Sequence, residues 1–435
     1  MAMMQTANFS LISLGCARTL VDSEKMIDDL QNGGFRLVAP GSREPITILN
    51  TCSFIQAAIE ETEENISKLS EKKQRGKLKY LVVTGCYPSR FKQKELEEKF
   101  PDVDLWLTTK QEDQVKQKLS DMVFSNRFLT QKKVPYTKLT PTHYAYLKIS
   151  EGCNNWCSFC TIPKIRGEHT SKPIDIVVAE AKKQLSFGAR ELILIAEDTT
   201  CWGEDIYGKP SLPILLKELA KLPVEWIRIM YVFPSRVDEE FIQCVKSTPN
   251  IIPYIDMPVQ HVNSELLSQM RRQHDRPFLE GILEKFNSEI PHVALRTTFI
   301  VGFPGETESQ VDEIIEVMDK FPFAQVGCFS YSEERETRSA RYEPKIDGGT
   351  IQRRMDRIMK RQWEIVQKEN KKRIGKIERL LYEGNGIGRT YREAPDVDGV
   401  IIVENSSHLL SGEFYDVKIT GIKDYDLKAV ATEGK

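Results

Sequence analysis

The chain has 435 residues, of which 40% are hydrophobic and 29% are charged, and its formal net charge is −2 at pH 7. This length gives a prior of roughly three domains, and the composition is that of a soluble globular protein. The near-neutral charge excludes a polycation that coats nucleic acid. Any charged partner must therefore be recognised by a local patch.

The sequence carries no sign of a membrane segment. No apolar run approaches the roughly 20 residues of a membrane helix. The first residues lack a basic region followed by an apolar stretch, so we expect no secretory signal. We expect a cytoplasmic protein with no membrane partner. The nine cysteines are then reduced, and clustered ones are expected to bind metal or do chemistry.

Residues 1–135 alternate strands and helices, which predicts an N-terminal parallel α/β domain. Three predicted strands each end in a cysteine, namely Cys16, Cys52 and Cys86. Because the carboxyl ends of parallel strands meet at one edge, where ligands bind, we expect these thiols to converge at a site. The alternative is three buried structural cysteines, since free cysteine is often buried. The predicted strands are NFSLISLGC, PITILNTCSF, YLVVTGCYPS and VDLWLTT.

A basic, proline-containing stretch at residues 130–143 is predicted to be a linker. Residues 136–372 then repeat strand and helix, which predicts a full or partial parallel (β/α) barrel. Its chemistry is expected on the loops after the carboxyl ends of the strands. The predicted strands are YAYLKIS, RELILIAEDTT, WIRIMYVFP, YIDMPVQH, ALRTTFIVGFPGE and QVGCFSYS.

The last part of the chain has two charged regions. Residues 353–379 hold eleven Lys/Arg and four Asp/Glu, a net charge of +7, with apolar residues at helical spacing. They predict either a solvated helix packed on the barrel or a surface for RNA or ribosome.

Residues 373–435 are rich in short strands, which predicts a small antiparallel β-barrel. Residues 376–435 carry eight Lys/Arg and eleven Asp/Glu, so this region, at −3, suits a basic protein partner.

The stretch EGCNNWCSFC follows the first predicted barrel strand and holds Cys153, Cys157 and Cys160 in the spacing C-x3-C-x2-C. Structural zinc sites and ordinary [4Fe-4S] sites take four protein ligands. Three thiolates leave one metal position open for a substrate or cofactor. For zinc, the nearest fourth ligand is His169, nine residues further on, which is not a finger spacing.

This spacing, with Phe159 just before the last cysteine, resembles the radical S-adenosylmethionine (AdoMet) superfamily. The resemblance implies that Cys153, Cys157 and Cys160 bind a [4Fe-4S] cluster whose fourth iron chelates the amino and carboxylate groups of AdoMet. One electron from the cluster then cleaves AdoMet to a 5′-deoxyadenosyl radical. The protein positions and shields the cofactor.

Over almost the whole chain, the three N-terminal cysteines, the radical AdoMet barrel and the small TRAM-like C-terminal barrel resemble the methylthiotransferases. The resemblance implies a second [4Fe-4S] cluster on Cys16, Cys52 and Cys86, with one iron free for an exogenous sulfur species. The RimO branch, which modifies an aspartate of small-subunit ribosomal protein 12, is the most similar. Its likeness rests on SLGCARTLVDSE, CTIPKIRGEHTSKP, AEDTTCWGEDIYG, YIDMPVQHVNSELLSQMRR and GRTYREAPDVDGV. The segment GCARTL departs from that branch, where Pro-Lys-Asn is commoner.

The resemblance also implies AdoMet contacts in the barrel. Phe159 is expected against the adenine, the alternative being a core aromatic. Gly302, Gly305 and Glu306 follow a strand that lines the AdoMet pocket in the family, the alternative being a tight turn.

Other polar residues on the predicted barrel strands are further candidates. Arg296, which alternates with Thr298 on one strand, is a candidate for the AdoMet carboxylate, and an interior ion pair is the alternative. Glu197 and Asp198 end the second strand, where acidic groups suit the AdoMet amine or ribose. Gln260 and His261 end the fourth strand, and a lone histidine is more often structural than catalytic. We interpret Cys201, Cys244 and Cys328 as structural.

The reaction that the resemblance implies converts an unactivated C–H bond into C–SCH3, at the β-carbon of an aspartate for the RimO branch. One AdoMet methylates a sulfur at the N-terminal cluster. A second AdoMet is cleaved at the barrel cluster, and the resulting radical abstracts hydrogen before the carbon takes the methylthio group. An electron donor of the flavodoxin or ferredoxin type and a sulfur source are also implied. Two alternatives are a tRNA adenosine methylthiotransferase of the MiaB type, favoured by the basic region, and a non-enzymatic iron–sulfur or zinc scaffold.

Overall fold

The computed structural model describes residues 7–42, 44–124 and 136–432. The chain divides into two compact units. The first comprises Met1–Leu139, Gly152–Asn154 and Cys160–Glu168, and the second comprises Thr140–Glu151, Asn155–Phe159 and His169–Lys435. Residues 130–135 of the predicted linker lie outside the described residues.

The first unit is a parallel sheet with helices. Its strands are β1 (Asn8–Ser13), β2 (Arg36–Leu37), β3 (Ile46–Thr51), β4 (Tyr80–Gly85) and β5 (Leu105–Thr108). Its helices are α1 (Ala17–Asn32), α2 (Gln56–Gln74), α3 (Cys86–Arg90), α4 (Gln93–Lys99), α5 (Val115–Phe124) and α6 (Ile162–Arg166), with a 3-10 turn at Thr109–Gln114. The strand order is β2-β1-β3-β4-β5 and every neighbouring pair is parallel, as predicted.

Helices cover both faces of this sheet. Every residue of the central strand β3 is buried. Successive side chains of a strand point to opposite faces. Ile48 accordingly lies in an apolar cluster with Met26 of α1, whereas Leu49 lies in another with Ile66 of α2. Strand β3 therefore contributes side chains to apolar clusters on both faces, as expected for a parallel sheet covered by helices on both sides.

The second unit contains a larger parallel sheet. Its strands are β6 (Tyr144–Lys148), β9 (Glu191–Ile195), β10 (Trp226–Ile229), β11 (Ile251–Asp256), β12 (Ala294–Val301) and β13 (Gln325–Ser330), with a two-stranded ribbon of β7 (Ser150–Glu151) and β8 (Thr170–Ser171). The order β13-β12-β11-β10-β9-β6 is sequential and all pairs are parallel. Among the described residues β6 and β13 do not pair, so the sheet is a partial barrel, one of the two forms predicted.

The helices of this sheet form its apolar outer layer. They are α7 (Ile174–Ser186), α8 (Glu204–Tyr207), α9 (Leu212–Leu219), α10 (Glu239–Ser247), α11 (Ser264–Gln269), α12 (Arg276–Glu289), α13 (Glu308–Lys320) and α14 (Gly348–Lys371), with 3-10 turns at Pro234–Arg236 and Ser339–Arg341. Leu192 and Leu194 of β9 lie in the cluster that these helices cover. Because side chains alternate, Glu191 and Ile193 lie on the opposite face of the sheet.

The basic region at residues 353–379 lies mostly in α14, packed on the sheet. Arg354 pairs with Glu308 at 2.7 Å, and Arg361 pairs with Asp319 at 2.6 Å. Both acidic residues belong to α13. Part of the positive charge that the sequence concentrates here is therefore paired within the fold, which agrees with the packed-helix interpretation.

The C-terminal strands close into the small barrel that the sequence predicts. They are β14 (Ile377–Gly384), β15 (Ile387–Arg389), β16 (Ile401–Glu404), β17 (Phe414–Lys423) and β18 (Asp426–Ala431). The order around the barrel is β14-β15-β16-β18-β17. The pairs are antiparallel except β16 with β18, which is parallel. Leu380, Val417 and Ala429 are among the fully buried residues of its core.

Buried charges join this barrel to the parallel sheet. Glu191 is fully buried and accepts from Arg228 Nε at 2.6 Å and from Arg389 Nη2 at 2.8 Å. Burial raises the pKa of Glu191, but the two guanidinium groups outweigh it and hold the pKa below its usual value. Tyr254 of β11 donates to Asp398, in the β15–β16 connection, at 2.7 Å. Breaking such pairs leaves uncompensated buried charge, so they hold the barrel in one register on the sheet.

Candidate active site

Three cysteines lie at the carboxyl ends of neighbouring strands in the first unit. Cys16 precedes α1 and follows β1, Cys52 follows β3 directly, and Cys86 begins α3 directly after β4. Since β1, β3 and β4 are adjacent in the sheet, all three residues lie at one edge. The structure therefore places all three cysteines at the same edge of the sheet, and their convergence as metal ligands stays a prediction.

The thiols are close enough to influence one another. A Cβ on Gly15 would lie 2.8 Å from Cys52 Cβ, so the backbone beside Cys16 runs against Cys52. Burial raises the pKa of Cys86 to about 12, with Cys52 and Cys16 adding to the rise and Arg166 opposing it. Burial also raises the pKa of Cys52.

Cys16 differs from the other two thiols. Burial raises its pKa, but Arg18, the backbone of Thr19 and Arg166 lower it more, to about 7. Cys16 is therefore the most readily ionised of the three thiols. The thiolate is the form of cysteine that binds metal. Arg166, on α6, donates from Nη2 to Cys86 Sγ at 3.5 Å and pairs through Nη1 with Asp22 Oδ2 at 3.5 Å.

The barrel cysteines lie on the loop between β7 and α6. Cys153 donates its backbone N–H to Gly167 O at 3.1 Å. The backbone N–H of Ile162 points at Cys160 Sγ at 3.5 Å. The first bond fixes the backbone at Cys153, and the second places a donor near the Cys160 sulfur. The role of these cysteines as cluster ligands stays a prediction.

Cys157 lies beside a buried arginine of the second unit. Arg272 is 5% exposed, and its Nη1 lies 3.6 Å from Cys157 Sγ. Its Nη2 donates to Pro258 O at 2.6 Å, and the guanidinium lies 4.1 Å from the ring centroid of Phe233. These contacts hold a permanent positive charge next to the thiol.

Asp198 anchors the cysteine loop. Its Oδ2 accepts from Asn155 Nδ2 at 2.8 Å and from Arg236 Nη1 at 2.8 Å, and its Oδ1 accepts from Thr200 Oγ1 at 2.6 Å. Asp198 is therefore engaged in positioning the loop. Glu197, next to it and two residues beyond β9, stays a predicted AdoMet contact.

Phe159 packs in a small apolar cluster of the second unit with Leu266, Met270 and Phe303. The backbone just before Phe159 is fixed as well, because Ser158 N donates to Met270 O at 3.0 Å. Phe159 is itself only half-buried against this cluster. Its contact with adenine stays a prediction.

The turn after β12 is closed by its own glutamate. Glu306 Oε2 accepts from Gly302 N at 2.8 Å, and Oε1 lies 3.1 Å from Arg354 Nη1. Burial raises the pKa of Glu306 to about 7, although the Gly302 N–H and Arg354 oppose the rise. Gly305 N donates to Pro344 O at 2.8 Å. The geometry is that of the tight-turn alternative, and direct AdoMet contact by Gly302 and Glu306 stays a prediction.

Arg296 takes part in an interior ion pair. Its Nη1 lies 2.8 Å from Asp256 Oδ1 and its Nε lies 3.2 Å from Asp398 Oδ1. Both carboxylates are almost fully buried. This is the alternative that the sequence left open. A contact with the AdoMet carboxylate stays a prediction and would compete with these two partners.

His261 is fully buried, and its Nδ1 is occupied by backbone hydrogen bonds. Its Nδ1 accepts from Val262 N at 2.9 Å and Asn263 N at 3.0 Å, so the ring proton belongs on Nε2. Burial lowers its pKa to about 3. The lone pair that a general base would use is already engaged with two backbone donors. Gln260, just before it, adopts a positive φ of 73°.

The remaining cysteines lie outside both candidate sets. Cys201 Sγ donates to Glu204 Oε2 at 2.8 Å, and Cys244 Sγ lies 3.9 Å from Pro213 O. Burial raises the pKa of Cys328 to about 12. These environments fit structural thiols.

Three side chains near the candidate sites escaped the sequence analysis: Arg166, Arg272 and Asn155. Each lies within a quoted stretch that resembles the family. A single arginine or asparagine has no spacing signature, however, so only the tertiary contacts assign it a place.

The donor sets suit iron–sulfur clusters. Each comprises three cysteines, and a buried guanidinium lies near one sulfur of each set, which offsets the anionic charge of thiolate ligands. Among the described residues, no three His, Cys, Asp or Glu side chains are arranged to hold a metal ion. A cluster distributes its cysteines over different irons, so it does not require convergence on one point.

In the described part of the chain, no helix combines the length and the apolar character needed to cross a membrane.

Three regions match known family models. Residues 8–108 match the Uncharacterized protein family UPF0004, residues 147–318 the Radical SAM superfamily, and residues 374–431 the TRAM domain. The last region coincides with the closed barrel. The domain boundaries after residues 135 and 372 fall between these matches and stay predictions.

Curated relatives match nearly the full chain. The ribosomal protein uS12 methylthiotransferase RimO of Clostridioides difficile is 39% identical, covering 96% of this chain and 97% of its own. Its counterpart from Lachnoclostridium phytofermentans is 38% identical, with coverage of 97% and 99%. The one from Myxococcus xanthus is 38% identical, with coverage of 97% and 91%.

Solved structures share the fold at low identity. The radical AdoMet methyltransferase TsrM from Kitasatospora setae, solved with cobalamin and a [4Fe-4S] cluster bound, has a TM-score of 0.56 at 13% identity, covering 94% of this chain and 84% of that one. The cobalamin-dependent AdoMet radical enzyme OxsB has a TM-score of 0.52 at 13% identity, covering 77% and 55%. At this identity, the likeness concerns the fold alone.

Proposed function

The chain belongs to the RimO family of ribosomal protein uS12 methylthiotransferases, and we propose that it attaches a methylthio group to the β-carbon of an aspartate in uS12. The observation that carries the proposal is 38% identity over 97% of the chain, which includes both cysteine sets and the C-terminal barrel. The protein is a sulfur-transferring enzyme whose cofactors are AdoMet and [4Fe-4S] clusters.

When bound, the clusters and AdoMet supply the electron, the methyl group and the hydrogen-abstracting radical. In the proposal, Cys153, Cys157 and Cys160 hold the cluster that binds AdoMet, and the N-terminal set holds the second. The protein holds the loop that carries Cys153, Cys157 and Cys160 in a fixed position. Asn155, bonded to Asp198, and Ser158, bonded to Met270, hold the cysteine loop from two sides.

The charge distribution supports a protein substrate over tRNA. The basic region at residues 353–379 favours tRNA, but three of its arginines, Arg354, Arg357 and Arg361, pair with acidic side chains of α13. Phosphate contacts need free cations. Residues 376–435, at −3, favour a basic partner.

Two further reactants complete the proposal. A low-potential donor of the flavodoxin or ferredoxin type delivers the electrons, and a sulfide source supplies the sulfur. The reaction takes place in the cytoplasm, where the ribosomal substrate is made.

The test is an anaerobic turnover assay with reconstituted full-length protein, AdoMet, a low-potential reductant and sulfide. A peptide containing the target loop of uS12 and unmodified tRNA are offered together, and mass spectrometry identifies the product. We expect the methylthio group on the aspartate of the peptide. Label on tRNA alone would overturn the substrate assignment and retain the chemistry.

Cysteine variants separate the two sites. Cys52→Ala is expected to abolish methylthiolation while AdoMet cleavage continues at the barrel. Cys157→Ala is expected to abolish both reactions. Cys244→Ala, at a cysteine outside both sets, is the matched control and is expected to retain both. Methylthiolation by Cys52→Ala at the wild-type rate would contradict the role of the N-terminal set.

A further inference from the structure

One buried arginine connects the N-terminal cysteine site with the segment that follows the barrel cysteines. Helix α6 begins two residues after Cys160 and ends at Arg166. The Arg166 side chain is 2% exposed, with Nη2 at 3.5 Å from Cys86 Sγ and Nη1 at 3.5 Å from Asp22 Oδ2. All of these residues belong to the first unit.

The contacts of Arg166 with Cys86 and Asp22 differ in kind. A separation of 3.5 Å from nitrogen to the large sulfur atom is a hydrogen bond, whereas a tight Arg–carboxylate pair has N···O distances of about 2.7–2.9 Å. The 3.5 Å separation from Asp22 Oδ2 is longer than that of a tight pair. A guanidinium cannot be deprotonated in proteins, so its positive charge stays next to Cys86 in every state of the site.

We propose that Arg166 is the positioning residue of the N-terminal cysteine site: it donates to Cys86 Sγ and stabilises the reduced, more anionic state of the cluster held there. This inference rests on the proposed function, because it requires a cluster on Cys16, Cys52 and Cys86. Arg166 acts through Cys86 and needs no contact with the substrate.

Electrostatics support the assignment. Three thiolates and an added sulfide accumulate negative charge in a buried site, where an unpaired charge is costly. The Arg166 guanidinium, with Nη2 3.5 Å from Cys86 Sγ, places a permanent positive charge beside this site. Hydrogen bonds and charges around the sulfur ligands set the reduction potential of a cluster.

The test measures the reduction potential of the N-terminal cluster directly. In a full-length chain with Cys153, Cys157 and Cys160 changed to Ala, only this cluster is reconstituted, and electron paramagnetic resonance follows a potentiometric titration. Arg166→Gln removes the charge. We expect at least a tenfold smaller equilibrium constant for one-electron reduction, a midpoint about 59 mV more negative.

Two further variants distinguish electrostatics from a loosened structure. Arg166→Lys keeps the charge and is expected to lie closer to the parent potential than Arg166→Gln. Asp22→Asn removes a nearby negative charge and is expected to move the midpoint in the opposite, positive direction. Arg75→Gln, at a 69% exposed side chain on the same unit, is the matched control and is expected to leave the potential unchanged.

Iron and sulfide per chain are measured in each variant, so that potentials are compared at equal cluster content. An unchanged midpoint in Arg166→Gln, or a shift of the same sign in Arg166→Gln and Asp22→Asn, would overturn the inference. Absence of iron from the parent chain would instead overturn the proposed cofactor arrangement, and the inference with it. The two failures are therefore distinguishable.

Discussion

Arg296 on strand β12 and Asp398 of the C-terminal barrel form an ion pair, with Arg296 Nε 3.2 Å from Asp398 Oδ1. The same guanidinium bonds Asp256 at the end of β11 at 2.8 Å. One side chain on the parallel sheet thus holds a carboxylate from the module that follows it in sequence. The contact ties the β15–β16 connection of the C-terminal barrel to the parallel sheet.

We predict that Arg296→Met destabilises the protein by about 3–5 kcal/mol, because Asp256 and Asp398 are then buried without their cation. Chemical denaturation followed by circular dichroism measures the loss. The double variant Arg296→Met with Asp398→Asn is expected to lose less stability, because only one buried carboxylate is then left without its cation. A variant with native stability and weakened AdoMet binding would instead support the cofactor-contact interpretation of Arg296.

Asp198→Ala is expected to weaken the loop that carries the barrel cysteines. Asn155 and Arg236 then lose a buried acceptor, which costs about 3 kcal/mol. We expect less iron bound per chain after anaerobic reconstitution, with the deficit confined to the barrel site. The control Asp175→Ala, in the exposed first turn of α7, is expected to keep the iron content of the wild type. Equal iron in both variants would show that Asp198 does not position the loop.

Gly302→Ala tests the turn after β12. Gly302 has a φ of +82°, and a Cβ there would lie 2.4 Å from Ile351 Cγ1. We expect a loss of about 2 kcal/mol or more in unfolding free energy, from the left-handed backbone and from overpacking. Adding Ile351→Ala relieves the clash but not the cost of a non-glycine residue at a positive φ. The unfolding free energy is therefore expected to recover only in part. Gly281→Ala, inside α12 with open space around it, is expected to stabilise the protein by about 0.5–1 kcal/mol.

His261 makes stability depend on pH. Burial lowers its pKa from 6.5 to about 3 in the folded state. Below pH 6.5 the unfolded chain binds a proton that the folded protein does not, so stability falls as pH falls, by about 1.4 kcal/mol per unit. The effect is absent above pH 6.5 and complete near pH 3.

The measurement for His261 is the unfolding free energy of the wild type and of His261→Asn between pH 7 and pH 4. Asparagine offers an acceptor oxygen to the two backbone donors without titrating. We expect the stability difference between the two proteins to shift in favour of the variant as the pH is lowered. A difference that does not vary with pH would mean that His261 titrates alike in both states.

Much of the fold follows from periodic patterns. The strands that end at Cys16, Cys52 and Cys86, the strand–helix repeats of the second unit and the C-terminal barrel all carry local signals of hydrophobic period and turn chemistry. The short strand β15 and the parallel pairing of β16 with β18 escaped prediction. Three residues are too few for a period, and pairing direction depends on which strands meet in space.

For the candidate sites, the sequence by itself determined which thiols are available and that two sets of three exist, because cysteine spacing and strand-end position are local properties of the chain. Only the tertiary structure decided what surrounds them. It brought Arg166 to Cys86 and Arg272 to Cys157, paired Arg296 with Asp398, and paired arginines of the basic helix with α13. Each of these contacts joins residues that are distant in sequence or lack a spacing signature, so its energy depends on burial and distance, which one-dimensional patterns do not carry.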